Sequence, residues 1–147
     1  MAVALLDSSA VVAYLDRGDA LHLGAVEAVE SAMRDGKRAA ISAVTWAELL
    51  NGARQQHQDE SVLRAFVDDF AIGILPVDAT VAEAATDLQA SHAAGGRRGH
   101  TRRLRTPDAL ILATALVHDE IEAIIGGDEQ WAKIDAVAPL ITLLRDT

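Results

Sequence analysis

Apolar and polar residues fall along this chain in blocks whose lengths and periods predict a regular series of elements. Residues 2–6 (AVALL) form a short apolar run ending at Asp7, the pattern of a buried strand. Ser8 and Ser9 then offer an N-cap for a helix to about Leu15. Residues 20–34 place Leu23, Val26, Val29 and Met33 at helical spacing, and Asp35-Gly36 supplies the stop. A strand is expected at 38–41, and Ser42 caps a helix to about Gln56. Asp59 and Glu60 open another helix through Phe70. Residues 72–77 read as a strand broken by Pro76, and Asp78 caps a helix to about Ala93. Thr106-Pro107 is a helix start, a capping residue followed by proline at the first helical position. That helix should run to about His118. Residues 122–125 form a buried strand, Gly126-Gly127 a tight turn, 128–132 a short helix and 140–144 the last strand.

Strands alternating with helices predict an α/β fold, a three-layer α/β/α sandwich around a central, mostly parallel sheet. At 147 residues with no linker or repeat, the chain reads as one domain spanning 1–147. Half of the residues are hydrophobic, but the aromatic ones are only Tyr14, Trp46, Phe66, Phe70 and Trp131, so the core must be aliphatic. The absence of cysteine excludes disulfides, thiolate nucleophiles and Cys-based zinc sites, and it fits a reducing compartment. The first apolar run lacks a basic leader, and no stretch reaches the roughly 20 apolar residues that span a bilayer. A soluble cytoplasmic protein without a membrane segment is expected.

A net charge of −9 argues against nucleic-acid binding until its distribution is considered. Arg97, Arg98, Arg102, Arg103 and Arg105 crowd into one Gly-rich stretch with no acidic residue, leaving −14 on the rest of the chain. Such a run is often only a solvated loop, but phosphate contacts require local rather than global positive charge.

Four carboxylates stand at the edges of apolar segments: Asp7, Glu48, Asp108 and Asp128. A charge beside a core is costly unless it is hydrogen-bonded, paired or bound to a metal. Active sites of open parallel sheets lie at the carboxyl ends of the strands, where Asp7 and Asp128 should project. Each acid has an ordinary explanation as well. Asp108 suits the first turn of a helix, Asp128 an N-cap, and Glu48 a solvated stripe shared with Thr45 and Asn51 or Gly52. Gly52 costs its helix about 1 kcal/mol relative to alanine, which suggests that something approaches closely there. Oxygen ligands without Cys or a His pair point to a hard cation, Mg²⁺ with Mn²⁺ as substitute, and hence to phosphate chemistry. Ser8 is a candidate to hydrogen-bond a ligating carboxylate or water.

The motifs LLDSSAVVAYL, ISAVTWAELLNGA, PDALILATAL and IIGGDEQWAKI, in this order, give the chain a resemblance to PIN-domain ribonucleases of the VapC toxin kind. The similarity extends over essentially the whole chain and matches Asp7, Glu48, Asp108 and Asp128 to the family's acidic positions. Where the family usually carries Thr or Ser two residues before the last acid, this chain has Gly126, and Trp131 stands for the usual Phe. The resemblance implies Mg²⁺-dependent endonucleolytic cleavage of RNA, a homodimer, and an antitoxin partner that is typically a small DNA-binding protein. It implies Asp7 as the central metal ligand with Asp108 and Asp128, Glu48 serving a second ion or its water, and the five arginines contacting the RNA backbone. An alternative is a catalytically inactive PIN-fold module that binds an antitoxin or RNA. A haloacid-dehalogenase-type phosphatase is disfavoured, because Ser9 stands where that chemistry needs a second aspartate.

Overall fold

A computed structural model describes residues 1–95 and 103–145. Five strands, β1 (Val3–Leu6), β2 (Arg38–Ser42), β3 (Gly73–Leu75), β4 (Ile121–Gly126) and β5 (Ile141–Leu143), pair side by side, all parallel. Their order is β3-β2-β1-β4-β5. Among the described residues six helices connect them: α1 (Ser8–Leu15), α2 (His22–Arg34), α3 (Ala43–Gln55), α4 (Ser61–Asp69), α5 (Ala79–Gly95) and α6 (Thr106–Val117). The predicted three-layer α/β/α architecture is the observed one.

The two cores follow from the pleat, because successive strand residues face opposite sides. Leu6, Ile41 and Ile125 join one apolar cluster with residues of α1 to α4. Leu5, Ala40 and Ile124, their immediate neighbours in sequence, join the other with α5 and α6. Burial on both faces explains why these strands are continuous apolar runs rather than alternating ones. Tyr14 of α1 and Phe66 and Phe70 of the α4 end stack within 5.2–5.7 Å of one another, tying the first and fourth helices together.

The chain winds outward from β1 in both directions, to β2 and β3 on one side and to β4 and β5 on the other. The crevice at the carboxyl ends of β1 and β4 is therefore the topological switch point, where open α/β sheets bind ligands.

Several boundaries differ from the sequence-based expectation. Asp7 itself is the N-cap of α1, without a side-chain cap bond, so Ser8 is the first helical residue and not its cap. The second helix starts late, at His22, because the Asp19 carboxylate accepts the Leu21 N–H at 2.8 Å in a preceding turn. Strand β3 stops at Leu75, since Pro76 has no N–H to offer the ladder. Helix α6 takes in Thr106, so Pro107 is its second residue and Arg105 its N-cap. The short helix after Asp128 is a single 3₁₀ turn, Trp131–Lys133. The expected caps Ser42 and Asp78 do accept the N–H groups of Val44 and Val81, at 3.1 and 2.9 Å.

Candidate active site

Asp7 leaves the sheet where β1 turns into α1. Its N–H still donates to the Ile125 carbonyl of β4 at 2.9 Å, while its own carbonyl already accepts from Ala10 and Val11 at 3.0 and 3.2 Å. Held at both ends, the residue is only 8% exposed. Burial pushes its carboxyl above the ordinary aspartate range, and the negative charges of Asp108 and Asp128 push further in the same direction. Opposing them, the Ser8 backbone N–H and the Ser9 hydroxyl favour the ionised form.

The other acids approach from three elements. Asp128 lies in the turn after β4, half-buried, with its Oδ1 accepting the Gln130 N–H at 2.9 Å. Asp108 is half-buried in the first turn of α6, where the helix dipole favours its charge. Glu48 sits in the second turn of α3 and is exposed as a whole, yet its carboxyl is partly desolvated. That desolvation raises its pKa, with Asp7 and Asp108 adding to the effect and Arg105 drawing it back. The four acids therefore act on one another, although 41 to 121 residues separate Asp7 from the rest along the chain. Thr45 does not share a solvated stripe with Glu48, for it is completely buried. Nor, among the described residues, does anything outside its own helix backbone approach Gly52: a Cβ there would meet no such atom within 4 Å.

Among the described residues, no three His, Cys, Asp or Glu side chains stand close enough together to hold an ion as they are placed. The donor chemistry nevertheless fits a hard divalent cation: carboxylate oxygens only, drawn from four elements and repelling one another.

It is Ser9, not Ser8, whose hydroxyl reaches the central acid, donating to Asp7 Oδ2 at 3.1 Å. Ser9 Oγ in turn accepts the Gly127 N–H at 3.0 Å. Gly126 lies flush against this pair, and a Cβ on it would sit 3.2 Å from Asp7 Cβ and 3.7 Å from Trp131 Cζ3. The signal in the sequence was Ser9's place two residues after a strand-end acid, from which a hydroxyl in the first helical turn reaches back. Arg105, the N-cap of α6, is exposed and near enough to Glu48 to be felt by it. Arg103 is exposed and lines a cleft with Gln89, His92 and Thr106. Arg97, Arg98 and Arg102 lie outside the described residues.

The PIN domain matches residues 4–137 of the chain. Among solved structures, a chain of a toxin–antitoxin complex from Klebsiella pneumoniae is 25% identical with a TM-score of 0.68, over 98% of this chain and 99% of that one. A chain of the DNA-bound VapBC2 structure from Rickettsia felis has a TM-score of 0.76 at 16% identity, over 97% and 99%. One from the DNA-bound VapBC structure of Salmonella typhimurium gives 0.71 at 18%, over 99% and 100%. None of the curated proteins matches the sequence. With a domain match over nearly its full length and the same fold in toxin–antitoxin structures, this chain belongs to the PIN-domain family.

Proposed function

We propose that the protein is the toxin of a toxin–antitoxin pair, an endoribonuclease that hydrolyses RNA phosphodiester bonds with Mg²⁺, or Mn²⁺ in its place. One observation carries this reading. Asp7 is a buried carboxylate at the switch point of the sheet, pushed toward its neutral form by burial and by two more carboxylates, with no buried cation beside it among the described residues. Folding has gathered charge where burial penalises it, as pre-organised sites do and structural ion pairs do not. The PIN-domain match supports the same reading, and the Klebsiella toxin–antitoxin chain supports the toxin assignment.

Asp7 would be the central ligand, with Asp108 and Asp128 completing that set, and Glu48 would serve a second ion or orient its water. When bound, the ion would lower the pKa of a water molecule and neutralise charge developing on the phosphate. The chain's own residues do the rest. The α1 and α6 N-termini hold the acids in place, and Arg105 at the rim is set to meet a phosphate, with Arg97, Arg98, Arg102 and Arg103 extending the basic track. With five aromatic residues, two of them buried (Phe66 and Trp131), base stacking contributes little, and the RNA is chosen by shape. A homodimer in the cytoplasm and a small DNA-binding antitoxin partner complete the proposal.

The test is cleavage of total cellular RNA by purified protein with Mg²⁺ or Mn²⁺. Asp7→Asn should abolish cleavage and relieve growth arrest while leaving the fold intact. The open spacing of the carboxylates favours one competitor, an inactive PIN-fold module that binds antitoxin or RNA. Absence of cleavage by the native protein with either metal, with Asp7→Asn altering only stability, would decide for that competitor.

A further inference from the structure

We infer that Ser9 is the positioning residue of this site, a single hydroxyl that locks the central acid to the turn carrying the last one. Its hydroxyl has one proton to give and lone pairs to receive. The proton goes to Asp7 Oδ2 at 3.1 Å, and a lone pair takes the Gly127 N–H at 3.0 Å. The second bond spans 118 residues of chain, from the first turn of α1 to the turn after β4. Asp7 and Asp128 leave neighbouring strands, and Ser9 is the side chain that joins their two exits.

The packing explains why the hydroxyl comes from this side. Gly126 borders Asp7 directly, and its backbone does not have a positive φ, so conformation does not require glycine there. Space does. A Cβ would lie 3.2 Å from Asp7 Cβ and 3.5 Å from Asp7 Oδ2, with the buried Trp131 ring behind it. A serine or threonine at 126 would press on the acid rather than steady it. Beside Gly127 there is more room: a Cβ there would have Ser9 Oγ at 3.6 Å and Leu21 Cδ1 at 3.7 Å as its nearest neighbours. Ser9 thus occupies a flank of Asp7 from which its hydroxyl reaches both the carboxylate and the turn.

The consequence is a fixed carboxylate. One oxygen of Asp7 is held by Ser9, so the rotation of the group is restrained before any ion arrives, and the turn bearing Asp128 is tied to it through Gly127. Groups that orient a ligating side chain in this way typically change metal affinity by about 10-fold to 100-fold when removed. This inference rests on Asp7 and Asp128 binding a divalent ion, as proposed above.

The experiment measures Mn²⁺ binding to the intact protein without RNA, by calorimetry and by the spin-resonance signal of free Mn²⁺. Thermal melting is recorded in chelator. Native protein should bind Mn²⁺, and Asp7→Asn should not. Ser9→Ala should weaken binding about 10-fold or more. Ser9→Cys, similar in shape but poor at hydrogen bonding, should behave like Ser9→Ala, while Ser9→Thr should restore binding to within about 3-fold. At Mn²⁺ concentrations saturating each variant, KM for RNA should be unchanged. Weakening in the Ala and Cys variants with rescue by Thr supports the inference, and any other pattern overturns it. In particular, a lower melting temperature with an unchanged Mn²⁺ dissociation constant assigns Ser9 to the fold alone. If native protein binds no Mn²⁺, the ion-binding reading falls and takes this inference with it. If native protein binds and Asp7→Asn does not, an unchanged Ser9→Ala removes only the inference about Ser9.

Discussion

Two glycines near the acids should respond to substitution with opposite signs, for reasons of space. At Gly126 a new Cβ would lie 3.2 Å from Asp7 Cβ, inside the 3.5–4.0 Å at which carbon atoms attract. Asp7 cannot swing away, because its N–H is bonded to Ile125 and its carbonyl caps α1. Overpacking costs about 1–3 kcal/mol, and one short contact belongs at the low end of that range. Removing the glycine's excess freedom in the unfolded chain returns about 0.5–1 kcal/mol. Gly126→Ala should therefore lose at most about 0.5 kcal/mol. Gly126→Thr sends its branch atoms further toward Asp7 Oδ2 and Trp131 and should lose about 2–3 kcal/mol, or about 5–10 °C in Tm for a domain of this size. At Gly52 a Cβ meets nothing within 4 Å, so Gly52→Ala should gain about 1 kcal/mol of helix stability. Urea unfolding at neutral pH in chelator reads both from the shift in midpoint at constant slope. A Gly126→Thr protein as stable as the native one would refute the close packing of Asp7, Gly126 and Trp131 on which the argument depends.

Three further outcomes are expected. Burial and like charge raise the pKa of Asp7 and Glu48 in the folded state, so the fold binds more protons than the unfolded chain above the ordinary carboxylate range near pH 4. In chelator, melting temperature should therefore rise as pH falls from neutral toward about 5, and Asp7→Asn should flatten that rise; a native profile that instead falls on acidification would contradict it. Ala71 closes α4 in the left-handed region at φ 50°, so Ala71→Gly should stabilise the protein by about 1 kcal/mol, and a destabilised variant in urea would show that the turn is not strained. Replacing Arg105 with Gln should weaken RNA binding and reduce the dependence of log K on log salt by about 0.7, the contribution of one single-strand phosphate contact; an unchanged slope takes Arg105 out of the interface.

Much of this architecture was legible along the chain because it is written in local periods. The apolar runs of β1, β2 and β4 and the caps Ser42 and Asp78 are properties of a few adjacent residues, and their boundaries came out within a residue or two. So did the turn at Gly36, whose φ of 86° suits the residue chosen for it. Misplaced boundaries arose where a neighbour competed for the same hydrogen bonds, as Asp19 does before α2, or where Asp7 took the capping position expected of Ser8.

The site divides along the same line. Residue type and a place beside an apolar segment made Asp7, Glu48, Asp108 and Asp128 candidates, because a carboxylate beside an apolar run is conspicuous in one dimension. What the sequence could not determine was distance. Only the parallel pairing of β1 with β4 sets Asp7 against Gly126 and makes the Ser9 hydroxyl a bridge to Gly127, and only the packing of α3 buries Thr45 and leaves Gly52 facing open space. The physical reason is that a hydrogen bond across 118 residues, or the packing of Gly126 against Asp7, has no local period to announce it. The chain alone named the charges; the tertiary fold decided which of them bear on one another, and through what.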